Sequence, residues 1–356
     1  MSLEELRKQI DELDVRIVQL INQRAAIVRQ IGDIKAENSQ AVYSPVREHA
    51  VYENVTAANA GPLSNESVRA VFREVMSGCI ALEKQLKVAY LGPAGTFTHW
   101  AARSKFGDSV TYVPVTSMDE VFEEVERKRA DYGVVPVENS TEGGIRETLA
   151  RFLDSPLKVC AEIILEIHHA LLAKCPVEDI KRIYSKGTVF GQVRRWLKAH
   201  LPGAELVEVA STSRAAELAA AEPGAAAIGH RELAATHGLR VLFDQIEDLS
   251  HNVTRFFVLS DHMSEPTGDD KTAVLCSVRD KVGALHDLLE PFKRYTINMT
   301  RIESFPSPST AWQYYFFVDF LGHPAEQRIS EALELVKTEC GSFKILGAFP
   351  RCAGKW

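Results

Sequence analysis

Long apolar runs, paired cysteines and an excess of basic residues are all missing from this sequence. The most apolar stretch, residues 160–173, contains Glu162, Glu166 and two histidines, so no membrane span is predicted. The six cysteines are scattered without a C-x-x-C pair, which is typical of reduced cytosolic thiols rather than of disulfides or a zinc site. The formal net charge of -7 gives no reason to expect nucleic acid or an anionic membrane as a partner.

Cofactor motifs are missing as well. The sequence contains no H-E-x-x-H, no nucleotide fingerprint and no phosphate loop, so we expect neither a metal nor a cofactor. The first residues, MSLEELRKQ, are charged and helical rather than apolar like a signal peptide, which favours a cytoplasmic location. A chain of 356 residues is too long for one ordinary core, so two or three domains are expected.

A long amphipathic helix is predicted from Leu3 to about Ala36. Its apolar residues alternate at spacings of four and three, which is the pattern of one helix face. We call this set the apolar seam; it consists of Leu6, Ile10, Leu13, Ile17, Leu20, Ile27, Ile31 and Ile34. Arg24 interrupts the seam, and a guanidinium there requires an anionic partner, either an internal carboxylate or a ligand.

Two further cations lie near the same helix face. Lys35 follows Arg24 by 11 residues. Arg7 precedes Lys35 by 28 residues, which is about 42 Å along the helix axis. One chain cannot bring Arg7 to a small ligand held by Lys35, whereas an antiparallel partner helix can. The sequence therefore predicts a dimer whose sites combine residues of both chains.

Two shorter helices are expected to follow. Ser44 and Pro45 supply a capping hydroxyl and a proline at the first helical position, so a second helix should begin there. Gly61-Pro62 should end it, and residue 64 or 65 can cap a third helix. Glu83 adjoins the apolar stripe of that third helix and is expected to point inward.

Residues 1–86 resemble the all-helical chorismate mutases. The resemblance rests on L-R-x-x-I-D-x-L-D, Arg24, I-x-x-x-K and P-V-R-E. It implies an intertwined dimer of three-helix chains that rearranges chorismate to prephenate without a covalent intermediate. The residues that it implies are Arg7 of the partner subunit, Arg24 and Arg47 for the two carboxylates, Lys35 and Glu83 for the breaking ether oxygen, and Glu48 for the ring hydroxyl.

Two positions in this domain depart from a common version of the pattern. Glu83 stands where some relatives carry Gln, and Cys79 where some carry Ser. A carboxylate would repel the ether oxygen as that oxygen gains negative charge, so Glu83 can help only in its protonated form. The alternative interpretation is a structural bundle in which Arg24 and Glu83 form a buried ion pair.

From Lys87 onward, short buried strands alternate with helices. KVAYLG is followed by a glycine turn and by a helix predicted over 98–105. Such alternation predicts an α/β domain whose ligands collect at the carboxyl ends of strands. Residues 157–173 are predicted to be a long strand region that crosses between two halves, and hence two lobes with a cleft between them. His168 and His169 are placed on opposite faces of this strand and interpreted as structural.

Residues 87–262 resemble the prephenate dehydratases, whose fold is two-lobed like that of periplasmic binding proteins. The motifs are GPAGTFTHWAA, VVPVENSTEGG, IYS followed by Gln192, and NVTRFFVL. The implied reaction removes water and carbon dioxide from prephenate and gives phenylpyruvate, without metal or redox cofactor. Glu138 and Thr254 are the implied catalytic residues. The implied substrate contacts are Thr96, Asn139, Ser140, Thr141, Ser185, Gln192, Arg255 and Phe256.

Several of these roles stay open at the level of sequence. The Thr254 hydroxyl is a weak acid and can only orient a group or relay a proton. Glu138 either supplies the proton or fixes the loop at residues 139–141 as a structural carboxylate. Arg255 either binds a substrate carboxylate or pairs with an internal acid. After Ser185 the segment KGTVFGQ replaces the usual histidine-proline-glutamine run, so the shape of this wall is not predicted.

Residues 263–271 are polar, contain a proline and a glycine, and are predicted to be a linker. The element order predicted for residues 272–356 is βαββαβ, a ferredoxin-like sandwich. VGALHDLL and TRIESFP resemble ACT domains, which implies that L-phenylalanine binds at a dimer interface and inhibits. The implied effector contacts are Gly283, Ala284, Leu285, Asn298, Glu303 and Ser304. Phe305 stands where Arg is usual, and a purely dimerising sandwich is the alternative.

In this order, the three resemblances identify the chain as similar to the bacterial bifunctional chorismate mutase/prephenate dehydratases. The expected substrates are chorismate and prephenate, the expected effector is L-phenylalanine, and the expected assembly is a cytoplasmic homodimer, with larger assemblies left open. Two alternatives remain. One is a dehydratase with a non-catalytic dimerisation bundle, and the other is a non-catalytic amino-acid sensor.

Overall fold

The computed structural model describes residues 2–38, 40–249, 251–278, 281–307 and 314–352. The chain divides into two compact units. The smaller, helical unit comprises residues 1–87 together with 103–111, and the larger unit comprises residues 88–102 and 112–356. Among the described residues, no helix has the length and apolarity needed to cross a membrane.

Three helices build the helical unit: α1 (Leu3–Glu37), α2 (Pro45–Ala57) and α3 (Asn65–Glu83). The predicted bounds of the first helix and the predicted starts of the other two are confirmed. Each start has a local cause, because Ser2, Ser44 and Ser64 each accept a hydrogen bond from a backbone N–H of the first turn.

The apolar seam of α1 lies open in the single chain. Its eight residues are between 40% and 62% exposed, and α1 contains no buried residue. A 35-residue helix extends about 52 Å, so α3 covers only part of its length. Eight aligned aliphatic side chains in water are unfavourable, because each would gain roughly 1.5–3 kcal/mol on full burial.

Residues 103–111 pack within the helical unit although the sequence assigned them to the second domain. The ring of Phe106 lies 5.0 Å from that of Tyr43, and the backbone N–H of Ser109 donates to Ser77 Oγ at 3.0 Å. Gly107 allows this approach, because a Cβ there would lie 2.6 Å from Ser77 Cβ.

The remaining elements alternate as the sequence predicts. The strands are β1 (Lys87–Leu91), β2 (Thr111–Val115), β3 (Tyr132–Asn139), β4 (Gly143–Gly144), β5 (Lys158–Glu166), β6 (Ala170–Ala173), β7 (Arg182–Ser185), β8 (Glu205–Glu208), β9 (Ala225–Gly229), β10 (Arg240–Phe243), β11 (Val253–Ser260), β12 (Asp270–Val278), β13 (Met299–Pro306), β14 (Tyr314–Leu321) and β15 (Cys340–Pro350). The helices are α4 (Phe97–Phe106), α5 (Met118–Glu126), α6 (Arg146–Arg151), α7 (Gly187–Gln192), α8 (Arg194–His200), α9 (Thr212–Ala221), α10 (Leu233–His237), α11 (Ala284–Arg294) and α12 (Gln327–Glu339).

These strands form two sheets. The five-stranded sheet has the order β10-β6-β9-β7-β8, and the ten-stranded sheet has the order β13-β14-β12-β15-β5-β11-β3-β1-β2 with β4 beside β3. The chain passes from β5 in one sheet to β6 in the other through residues 167–169. The predicted crossover therefore exists, but His168 and His169 lie in this connection and not on a strand, so the prediction of their position was wrong.

The βαββαβ order of the third domain is confirmed by β12, α11, β13, β14, α12 and β15. β12 begins at Asp270, so the last two residues of the predicted linker already belong to this strand. β15 joins β5 of the dehydratase-like part at Gly347 opposite Val159. A Cβ at Gly347 would lie 2.1 Å from the Val159 carbonyl oxygen, so glycine is required for this junction.

The register of β3 and β11 decides where the candidate residues meet. These antiparallel strands pair Thr254 with Asn139 and Arg255 with Glu138. Successive residues of a strand point to opposite faces, so Thr254 and Asn139 share one face and Arg255 and Glu138 lie on the other.

Candidate active sites

In the helical unit, Arg24 and Cys79 face each other between α1 and α3. Arg24 Nη1 lies 3.0 Å from Cys79 Sγ, which is a free thiol. Glu83 follows Cys79 by one helical turn and pairs with Lys35 instead of Arg24, with 3.4 Å between Nζ and Oε2. The alternative of a buried Arg24–Glu83 ion pair is therefore not what the structure contains.

Lys35 and Glu83 are fixed by close packing. Lys35 Nζ also donates to the carbonyl oxygen of Val42 at 2.7 Å, and the Glu83 side chain is only 4% exposed. Gly32 makes room for it, because a Cβ at Gly32 would lie 2.7 Å from Glu83 Cγ. Sequence reasoning missed Gly32, although a glycine inside a helix is a signal of close approach.

Glu48 is buried at the start of α2 between two donors. The Tyr43 hydroxyl donates to Glu48 Oε2 at 2.8 Å, and Lys105 Nζ lies 2.5 Å from the same oxygen. Neither partner was predicted. Lys105 carried no sequence signal, because it lies beyond the predicted boundary of the first domain.

Arg47 and Arg7 lie apart from this group in the single chain. Arg47 is exposed in the first turn of α2. Arg7 is exposed near the beginning of α1, and the unbroken helix keeps it about 42 Å from Lys35. The packing of α1 on α3 thus brings Arg24 to Cys79 and Lys35 to Glu83, while Glu48 at the start of α2 meets Tyr43 and Lys105.

In the larger unit, Asn139 and Thr254 are joined at the ends of β3 and β11. Asn139 Nδ2 lies 2.8 Å from Thr254 Oγ1 and 2.9 Å from Asn252 Oδ1. Asn139 Oδ1 accepts hydrogen bonds from the backbone N–H groups of residues 141 and 142 and from the Thr141 hydroxyl. Asn139 is 9% exposed and Thr254 8%, so this group lies at the edge of the buried sheet.

The same network continues to Gln192 and His169. Gln192 Oε1 lies 2.9 Å from Asn252 Nδ2 and 2.7 Å from His169 Nε2, and Gln192 Nε2 lies 3.0 Å from Glu142 Oε1. Burial lowers the pKa of His169, against the opposing effect of its bond to Gln192. Asn252 and His169 were missed as members of this site.

The predicted hydroxyl contacts bind backbone groups. Thr96 Oγ1 donates to the Leu91 carbonyl, and Ser140 Oγ bridges the carbonyl of residue 251 and the N–H of residue 253. Ser185 is fully buried and donates to the Ile228 carbonyl. These hydroxyls therefore shape the turns around the site.

Arg255 pairs with internal acids, which is the second of its two sequence interpretations. Its guanidinium contacts Glu162 at 2.8 Å and also Asp319 on β14. Lys271 Nζ lies 3.1 Å from Glu162 and completes a group of four charges, which we call the buried charge cluster. Burial opposes the charge of Arg255, but Asp319 and Glu162 outweigh it and raise the pKa of Arg255. Phe256 is 1% exposed and belongs to the core.

Glu138 lies beside a cation of the third domain. Arg301 Nε is 3.3 Å from Glu138 Oε2, and Arg301 also contacts Glu303. Glu303, a predicted effector residue, packs so closely on Gly144 that a Cβ there would lie 2.0 Å from its Oε2. Both carboxylates thus share Arg301, whose side chain is 7% exposed.

Of the other predicted effector residues, three lie at the beginning of α11, Asn298 directly precedes β13, and Ser304 lies near the end of β13. Gly283 has φ of +80° and precedes the first helical residue, Ala284. Leu285, Asn298 and Ser304 are exposed. Phe305 is only 3% exposed and stacks on Tyr315 at 5.8 Å, so the residue that replaces the usual arginine belongs to the core.

Comparisons with known proteins identify three domains in this chain. Family models match for chorismate mutase type II over residues 6–84, prephenate dehydratase over 88–264 and the ACT domain over 272–334. The chain is 42% identical to the bifunctional chorismate mutase/prephenate dehydratase of Aquifex aeolicus and 43% identical to that of Pseudomonas aeruginosa, each over 98% of both chains. It is 36% identical to the prephenate dehydratase from Arthrobacter aurescens, whose structure was solved in complex with L-Phe. That match has a TM-score of 0.69 and covers 75% of this chain and 90% of the other.

Proposed function

The chain belongs to the bifunctional chorismate mutase/prephenate dehydratases, and from this we propose how its residues divide the work between two reactions and one regulatory site. It rearranges chorismate to prephenate and then converts prephenate to phenylpyruvate. The observation that carries the assignment of residues is the junction of β3 and β11, where Asn139 donates to Thr254.

The mutase site is completed by a second chain. The exposed apolar seam of α1 would be buried by a second chain, and Arg7 approaches Lys35 only on an antiparallel partner helix. In such a dimer Arg24, Arg47 and Arg7 of the partner subunit hold the two carboxylates of chorismate, since arginine binds carboxylates through two parallel hydrogen bonds. The homodimer, the intertwined arrangement and the cytoplasmic location remain part of this proposal.

The rearrangement needs a compact substrate and a stabilised ether oxygen. Lys35 donates to this oxygen as it gains negative charge, and Glu83 donates to it when protonated. Glu48 accepts a hydrogen bond from the ring hydroxyl, and the donors Tyr43 and Lys105 fix its carboxylate for this purpose. The mutase domain needs only these orienting and electrostatic contributions, because the step forms no covalent intermediate.

The dehydratase reaction needs a donor to the leaving hydroxyl and a rigid hold on the carboxylate that is lost. Thr254 accepts from Asn139, so its own hydrogen can point to the leaving hydroxyl of prephenate. Glu138 acts as a structural carboxylate. Its ion pair with Arg301 supports this role, since the attraction is lost when the carboxyl group carries a proton.

The third domain senses L-phenylalanine. The Arthrobacter relative was solved in complex with L-Phe, and in this chain Gly283 and Asn298 are exposed and accessible to a ligand. Glu303 is paired with Arg301 and packs on Gly144, so it links the sensing domain to the dehydratase strands in this conformation.

The test is to give the purified protein chorismate and to follow chorismate loss and phenylpyruvate formation separately, with and without L-phenylalanine. Arg24→Ala should slow chorismate loss about 10²-fold or more and leave turnover of added prephenate unchanged. Thr254→Val should do the reverse, so each variant is the control of the other. No chorismate loss in the unmodified chain, with normal turnover of added prephenate, would show that the helical unit is a scaffold. Unchanged mutase turnover in Arg24→Ala would show that Arg24 does not hold chorismate.

A further inference from the structure

We propose that His169 is a positioning residue for the dehydratase reaction: its ring N–H helps to hold one direction in a chain of side-chain amides that leaves the Thr254 hydroxyl free to donate. The amide chain consists of Asn139, Asn252 and Gln192. The inference rests on the proposed role of Thr254. It requires that each amide be oriented, and the contacts at both ends of the chain decide this.

The first end is fixed by backbone groups. Asn139 Oδ1 lies 2.9 Å from the N–H nitrogen of residue 141 and 3.2 Å from that of residue 142, and a backbone N–H can only donate. The atom facing them must therefore be the amide oxygen. Asn139 Nδ2 is then the atom that faces Thr254 Oγ1 and Asn252 Oδ1, and it donates to both.

The second end is fixed by a carboxylate. Gln192 Nε2 lies 3.0 Å from Glu142 Oε1, and an ionised carboxylate can only accept. Gln192 Oε1 is consequently the atom that faces Asn252 Nδ2 and His169 Nε2. Because this oxygen can only accept, His169 Nε2 must carry a hydrogen.

The ring of His169 is held in one position. Its residue is 1% exposed, its backbone N–H donates to Glu247 Oε2 at 3.0 Å, and its ring meets Phe97 edge to face at 5.6 Å. Nδ1 has no hydrogen-bond partner among the described residues. The ring thus offers the amide chain one fixed donor.

This donor holds the chain in that orientation together with Glu142. Gln192 Oε1 receives two hydrogen bonds, which keeps Asn252 Nδ2 directed toward it and Asn252 Oδ1 directed toward Asn139. Without the His169 donor, only the exposed Glu142 keeps Gln192 from turning over together with Asn252, and in the turned arrangement Asn139 loses an acceptor. The Thr254 hydroxyl is thereby less strictly held as a donor toward the substrate.

The experiment compares His169→Leu, which fills the space without a donor, with His169→Gln, which retains an N–H donor. His169→Leu should lower the dehydratase kcat about tenfold with a KM for prephenate changed less than about twofold, and His169→Gln should recover most of that loss. His168→Gln is the matched control, since the neighbouring His168 bonds to Glu247 and lies outside the amide chain. Urea denaturation of the same preparations, followed by fluorescence, reports whether the larger unit is folded.

A full rate in His169→Leu, an equal loss in the Leu and Gln variants, or a change in KM alone would each overturn the positioning role. Thr254→Val distinguishes a failure of the inference about His169 from a failure of the proposed function. If Thr254→Val retains the dehydratase rate, the role of Thr254 itself is wrong. If it loses the rate while His169→Leu keeps it, only the inference fails. If His169→Leu does not fold, Asn252→Asp is the test, because it places a carboxylate oxygen opposite Gln192 Oε1 and removes that hydrogen bond. An unchanged dehydratase rate in this variant would refute the role of the amide chain.

Discussion

Replacing Asp319 with asparagine removes one of the four charges of the buried charge cluster. The side chains of Glu162 and Asp319 are 0% exposed, that of Arg255 4% and that of Lys271 8%. Two cations and two anions balance each other there, so the substitution leaves a net positive charge among buried side chains. Breaking a buried pair by removing one partner typically costs about 3–5 kcal/mol, and we expect about 3 kcal/mol here because asparagine retains an acceptor for Arg255.

The assay is urea denaturation of the full chain, with the transition of the larger unit followed by the loss of dehydratase activity and by fluorescence. Asp319→Leu combined with Arg255→Met removes one pair and leaves Glu162 with Lys271, so this double variant should be more stable than the sum of its single changes predicts, by about 2 kcal/mol or more. Glu290→Gln is the control, because the Glu290–Arg294 pair is exposed and should contribute about 0.5 kcal/mol or less. A destabilisation by Asp319→Asn as small as that of the control would refute the reasoning.

The remaining predictions concern the mutase site and pH. Gly32→Ala should displace the Glu83 side chain and lower the mutase kcat, while turnover of added prephenate stays unchanged. Chorismate loss and phenylpyruvate formation, measured on one preparation, check this. Glu83→Gln should keep most of the mutase kcat, because the amide N–H can donate to the ether oxygen, and a loss as large as that of Glu83→Ala would contradict this donor role. Burial lowers the pKa of His169 and of His230 below the ordinary 6.5. The unfolded chain therefore binds more protons, so the unfolding free energy should fall as pH falls below 6.5. The double variant His169→Gln, His230→Gln should reduce this pH dependence, which urea denaturation at pH 7.5 and 5.5 measures.

Local features of this protein could be predicted from sequence because their causes are local. The start of α2 follows from Ser44 and Pro45, which act on the adjacent turn, and the length of α1 follows from a periodicity contained in the helix itself. The motif residues Asn139 and Thr254 were also expected at strand ends. The dimer was predicted from the separation of Arg7 and Lys35 along one helix, and it stays a prediction.

The partners of the charged and polar side chains were decided only by the tertiary structure. Lys105 reaches Glu48 because residues 103–111 pack within the helical unit, and Arg255 reaches Asp319 from a strand 64 residues earlier in the chain. His169 joins Gln192 because the connection from β5 to β6 crosses between sheets and leaves that residue off any strand.

By itself, then, the sequence determined the presence of the three domains and their element order, and it proposed the residues that carry the family's chemistry. The tertiary structure alone decided whether Arg255 meets substrate or internal acid, which side chain holds Gln192, and how each amide is turned. The physical reason is the distance along the chain over which each interaction acts. Caps, periodicity and turns act over a few residues and are written into neighbouring positions, whereas an ion pair or hydrogen bond between distant strands depends on their register and on how the sheets are joined.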